Sequence, residues 1–178
     1  MNRNDIIDAL RRLGELAASE GIRVEVSIYG GAAFLLAYNS REATKDEDAL
    51  LRPKEEGERL VRRVARELGL PEDWLNGDVV RFVSPLKEAK RPLAELERET
   101  GLTVHVPTAD YLLAMKALAC RRPIGAYRGD LDDLAFLIRK LKLRSVDRIQ
   151  VAIDRFYPDD VIRGADRILL QTLIEENR

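Results

Sequence analysis

The 178-residue chain has little of several things, and each scarcity excludes something. A single cysteine, Cys120, rules out an internal disulfide and suits a reducing cytoplasm. No apolar run approaches ~20 residues, and no basic segment leads into an apolar one, so neither a membrane span nor a secretory leader is expected. Charge of one sign is also missing: 31 acids stand against 30 bases, for a net charge of -1. With aromatics at only 6%, that balance argues against a domain that merely binds nucleic acid. There is no internal repeat, low-complexity tract or linker. A soluble, cytoplasmic chain forming one compact unit is expected, with residues 1–107 as an α/β core and 108–178 as a helical region packed on it.

What is present is periodicity. Residues 4–19 carry Ile6, Ile7, Leu10, Leu13, Leu16 and Ala17 at helical spacing, and Gly21 follows as a stop. A strand over 24–29 runs into Gly30-Gly31, then an apolar helix over 32–38, a loop, and a second strand over 46–51. Pro53 opens a charged helix that Gly69 ends; it crowds Arg59, Arg62, Arg63 and Arg66 together, a local basic patch. Residues 79–83 read as a strand, 88–100 as a helix or an irregular acidic segment, and 102–106 as a well-alternating strand. Four helices are expected beyond it, over 109–120, from 131, over 146–156 and over 161–176.

The chemistry-bearing stretch is Gly30-Gly31-Ala32-Ala33 followed by Thr44-Lys45-Asp46-Glu47-Asp48. A glycine pair between strand and helix lets the backbone approach a ligand closely. On a strand Asp46 and Asp48 point the same way, and two like charges side by side are relieved by a hard divalent cation. Arg41 and Thr44 lie in the loop between the motifs, in reach of a bound triphosphate or equally of plain solvent. Lys116 is the one charged residue of Leu112–Cys120, so it either meets an anion or snorkels to water. Asp130 falls at the edge of the next apolar stripe, where it can serve a site or cap the helix beginning at Leu131; Asp132 points outward. His105, the only histidine, shares a face with Thr103 and could be a base near neutral pH or a structural residue. Cys120 reads as core packing.

This arrangement resembles the nucleotidyltransferase superfamily, and more narrowly the AbiEii-type nucleotidyltransferase-like domains of bacterial toxin–antitoxin and abortive-infection pairs. The resemblance rests on Gly30-Gly31-Ala32-Ala33, Arg41, Thr44-Lys45-Asp46-Glu47-Asp48 and Leu113-Ala114-Met115-Lys116. It implies a small mixed sheet flanked by helices and a Mg²⁺ held by Asp46 and Asp48. Lys116 would contact phosphates and Asp130 would assist the site; Gly30, Gly31, Arg41 and Thr44 would line the nucleotide. The implied activity moves a nucleoside monophosphate from an NTP onto a hydroxyl of an RNA, such as tRNA, or of a protein, with a cognate toxin or antitoxin as partner. The chain departs from the pattern where a third carboxylate belongs on a later strand: residues 102–106 offer His105 instead, with Asp78 as another stand-in. That departure leaves a second expectation open, a catalytically degenerate module that binds a partner protein.

Overall fold

The alternation read at 24–29 and 102–106 becomes the centre of a four-stranded sheet. The computed structural model describes residues 1–44, 47–120 and 130–177. These fall into two units, Met1–Arg81 with Lys90–Pro107, and Phe82–Ala89 with Thr108–Arg178. The architecture is α/β, with a small mixed sheet in the first unit and helices alone in the second.

In the first unit the elements are α1 (Arg3–Ser19), β1 (Val24–Ile28), α2 (Gly30–Tyr38), β2 (Ala49–Arg52), α3 (Lys54–Leu68), β3 (Lys90–Pro92) and β4 (Leu102–Pro107). Strand order is β2-β1-β4-β3; β1 runs parallel to β4 and antiparallel to β2, and β3 is antiparallel to β4. An Asn2–Asp5 capping box starts α1, Asn2 accepting from the Asp5 amide at 3.0 Å and Asp5 from the Asn2 amide at 3.1 Å. Gly69, left-handed at φ 68°, ends α3. Trp74 then donates its indole N–H to the Val61 carbonyl at 3.1 Å, pinning the chain beyond it.

The two faces of this sheet differ in kind. Val24, Val26 and Ile28 are fully buried on one face. Here α1 and α3 approach so closely that a Cβ on Gly14 would lie 2.9 Å from the Leu102 Cβ, and one on Gly57 would lie 3.0 Å from the Leu51 Cβ. Small residues at those two points let the helices seat on the strands. The opposite face carries Glu25 and Ser27 on β1, paired in register with Thr103 and His105 on β4 and with Arg52 and Leu50 on β2. Apolar cover on one side and polar chemistry on the other follow directly from the period-two alternation.

In the second unit, α4 (Ala109–Ala119) packs against α5 (Leu131–Lys140) and α6 (Val146–Asp154), and α7 (Gly164–Glu176) packs on α5 and α6. Residues 82–89 fold with these helices. The Ser84 amide donates to the Tyr111 hydroxyl (2.8 Å), the Ser84 hydroxyl to the Phe156 carbonyl (2.6 Å), and the Tyr157 hydroxyl to the Phe82 carbonyl (2.7 Å). The Tyr111 and Phe156 rings pack at a tilt of 40°, 4.8 Å between centroids. Among the described residues no helix is long and apolar enough to cross a membrane.

Two sequence expectations need correction, and one left open is resolved. The strand expected over 79–83 is a 3₁₀ helix, Asp78–Phe82. Asn76-Gly77 closes a local turn, with the Asp78 amide bonded to the Asn76 side chain and Val80 to the Gly77 carbonyl. Val80 is then 64% exposed, so its β-branched shape has no neighbouring strand to pack on. Residues 88–100, open between a helix and an irregular segment, are mostly irregular, with the short edge strand β3 and a 3₁₀ turn, Ala94–Leu96. The second strand begins at Ala49, not 46; Asp48 forms only an isolated bridge to Asn76, and Lys45 and Asp46 lie outside the described residues.

Candidate functional site

The site builds outward from the turn between β1 and α2. Tyr29 is extended at the N-cap and Gly30 takes φ 55°, a left-handed conformation that glycine adopts without steric cost. The Tyr29 amide donates to the Asp48 carbonyl at 2.8 Å, which sets Asp48 opposite Tyr29, one residue beyond the β1–β2 ladder. The side chains of the loop then close on the glycines. A Cβ on Gly30 would sit 2.5 Å from Asp48 Oδ2; one on Gly31 would collide with the Thr44 hydroxyl and come within 3.2 Å of the Arg41 guanidinium. Any side chain at either glycine would displace these groups.

Asp48 Oδ2 therefore lies against the N-terminal turn of α2, where backbone N–H groups and the helix dipole favour negative charge. Arg41 places its guanidinium 5.7 Å from the Phe34 ring centroid, holding a cation beside the same turn. Thr44 is buried, and its backbone is pinned by hydrogen bonding with Met1 in both directions. Glu47, between the two aspartates of the motif, is buried and accepts from the Met1 amine at 3.3 Å. The structure thus gathers Gly30, Gly31, Arg41, Thr44 and Asp48 in the first unit. Asp46 falls outside the described residues.

Lys116 and Asp130 belong to the second unit, where they meet each other. Lys116 is buried on α4 and donates to Asp130 at 2.6 Å, and it also lies 3.0 Å from Asp133. Both carboxylates are almost wholly buried, at 1% and 3% exposure. The snorkelling alternative for Lys116 is overturned by this burial. Asp130 does occupy the N-cap of α5, yet its side chain makes no capping bond and serves the lysine instead. Asp133 is the residue that sequence reasoning missed. The signal was its spacing: it sits one residue before Leu134 and four before Leu137, inside the buried stripe, and Lys116 already demanded an anion.

The neighbours of His105 were missed as well. On the polar face of the sheet, Lys90 of β3 donates to Ser27 at 2.8 Å and lies 3.7 Å from Glu25 Oε1. The same Glu25 oxygen is 3.6 Å from His105 Nδ1. Register places Ser27 beside His105, so period-two alternation on 24–28 and 102–106 was the signal available. Asp48 opposes Tyr29, and Tyr29 shares a face with Ser27 and Glu25; Asp48 is therefore on this polar face as well.

Hard oxygen donors, Asp48 among them, fit a Mg²⁺ ion in kind. Among the described residues no group of three or more His, Cys, Asp or Glu side chains is disposed to hold a metal. Comparison of the chain with protein-family models, with curated proteins and with solved structures returns no match.

Proposed function

We propose that this chain is a Mg²⁺-dependent nucleotidyltransferase, moving a nucleoside monophosphate from an NTP onto a hydroxyl of an RNA, such as tRNA, or of a protein. The observation that supports the reading most is the convergence on the Gly30-Gly31 turn. Two glycines that tolerate no side chain stand at a helix N-terminus with Asp48, Thr44 and the Arg41 cation around them. The N–H groups of a helix N-terminus beside an arginine suit phosphate oxygens, and a carboxylate suits the cation that accompanies them. Asp46 and Asp48 would hold the Mg²⁺, which supplies charge neutralisation while the α-phosphate is attacked. Gly30 and Gly31 offer backbone amides to the triphosphate, and Arg41 and Thr44 orient it. By the same resemblance, the setting is a toxin–antitoxin or phage-defence pair.

A second reading has its own support. Lys116, expected to contact phosphates, has its ammonium within 3.0 Å of two buried carboxylates. That favours a structural lysine and a degenerate module whose task is to bind a partner protein. Thermal unfolding with each NTP, with and without Mg²⁺, on wild type and Asp46→Asn/Asp48→Asn separates the two. A ligand at 100 times its dissociation constant stabilises the folded state by about 2.7 kcal/mol. A Mg²⁺-dependent shift confined to wild type supports the enzyme. The absence of any shift, with a stable complex to a co-encoded protein that survives both substitutions, supports the binding module.

A further inference from the structure

We infer that Glu25 holds His105 as its Nδ1–H tautomer, presenting a basic Nε2 on the Asp48 face to take the proton of the acceptor hydroxyl. The inference rests on the nucleotidyl-transfer reading for its substrate and on geometry for everything else. His105 Nδ1 is buried and has no hydrogen-bond partner. Glu25 Oε1 lies 3.6 Å from it. A bare Nδ1, itself buried, would aim its lone pair at a carboxylate oxygen, whereas an Nδ1–H needs a shift of only about half an ångström to donate to it. The carboxylate thus selects the tautomer, and the other ring nitrogen becomes the acceptor.

The exposure of the ring agrees. The His105 side chain is 24% exposed although Nδ1 is buried, so the exposed edge is the one bearing Nε2. Lys90 completes the frame: its ammonium lies 3.7 Å from the same Glu25 oxygen and donates to buried Ser27 at 2.8 Å, tying Glu25 and Ser27 together on the strand beside His105. His105 is on β4 and Asp48 precedes β2, with β1 between them, so about 10 Å separates their strands. Asp48 stands opposite Tyr29 and His105 opposite Ser27, so the two residues are also offset by two positions along β1 on the same face.

In the reaction the acceptor O–H proton passes to Nε2 as the oxygen bonds to the α-phosphorus. The bond from that phosphorus to the bridging oxygen breaks, and pyrophosphate leaves with the electron pair. Glu25 is a positioning residue, since it acts through the imidazole and touches no substrate.

Because His105 is the only histidine, long-range ¹H–¹⁵N spectra of the full chain report its tautomer without assignment. The expected spectrum has Nδ1 protonated and Nε2 bare, and Glu25→Ala shifts population toward the Nε2–H form. A bare Nδ1 in wild type, or a Glu25→Ala spectrum identical to wild type, overturns the inference. Carbethoxylation of His105 by diethyl pyrocarbonate gives a second readout that needs no acceptor. Mg²⁺ with an NTP that shifts the melting temperature should slow it at least 10-fold; bound NTP without protection overturns the placement. An NTP that binds nowhere overturns the nucleotidyl-transfer reading itself, and the tautomer spectrum separates that failure from a failure at His105. Where transfer to RNA or protein is measured, His105→Gln should lower kcat by 10²–10⁴-fold with NTP affinity retained, the range of general-base catalysis. An unchanged kcat overturns the inference.

Discussion

Replacing Lys116 by methionine tests the buried charge cluster of the helical unit most sharply. The substitution keeps length and apolar stem but removes the ammonium that lies 2.6 Å from Asp130 and 3.0 Å from Asp133. Those carboxylates are 1% and 3% exposed, so water cannot replace the lost cation. Breaking a buried ion pair from one side costs about 3–5 kcal/mol. At roughly 2–4 °C per kcal/mol for a chain of this size, the melting temperature should fall by about 6–20 °C. The exposed pair Arg155–Asp110, at 2.8 Å, is the control: Arg155→Gln should cost no more than about 1 kcal/mol. Chemical denaturation followed by circular dichroism reads both. Adding Asp130→Leu and Asp133→Leu to Lys116→Met should recover most of the loss, because an apolar replacement of the whole cluster carries no buried charge. A Lys116→Met protein within 1 kcal/mol of wild type would refute the structural assignment of this lysine. If it also lost NTP binding, the ammonium would belong to phosphate.

Other outcomes follow from single positions. Gly101 is left-handed at φ 76°, and a Cβ there would lie 2.5 Å from the backbone of both Ala18 and Gly14. Gly101→Ala should therefore cost about 2–5 kcal/mol, the left-handed penalty plus overpacking. Gly21→Ala, at φ 70° with nothing within 4 Å, should cost only the ~1–2 kcal/mol conformational part. Gly30→Ala should abolish any Mg²⁺-dependent NTP shift in a thermal scan, since its Cβ would displace the Asp48 carboxylate. Burial raises the Tyr157 and Tyr111 phenols above their ordinary value of 10.0. An acid with a raised folded pKa holds its proton longer folded than unfolded, so stability should be full below pH 10 and fall as pH rises beyond it. Urea midpoints across that range check the sign, and Tyr157→Phe should flatten the slope. Glu95 is held low by its hydrogen bond from Arg3. Its contribution should be present above about pH 4.5, fade on acidification, and disappear from the pH profile in Glu95→Gln.

The sequence by itself determined where α1, α3, α4, α5, α6 and α7 lie to within a few residues, where β1 and β4 run, and where several of them stop. Those features are written in local periodicity, in the capping residue Asn2, and in glycines such as Gly69 that alone adopt a left-handed turn cheaply. It also set the demand for an anion at Lys116, because a lone ammonium on an apolar helix cannot be buried unmet. Only the tertiary structure decided which anions answer it: Asp130 and Asp133 reach Lys116 through the packing of α5 on α4, and no spacing rule links one helix to the other. The same holds for residues 79–83, whose β-branched side chains suit a strand but find no strand to join. Strand register, too, is invisible in one chain segment at a time. It alone brought Glu25, Ser27, Lys90 and His105 from three strands to one face, because a side chain's face is fixed by parity within a strand and its neighbours by pairing between strands.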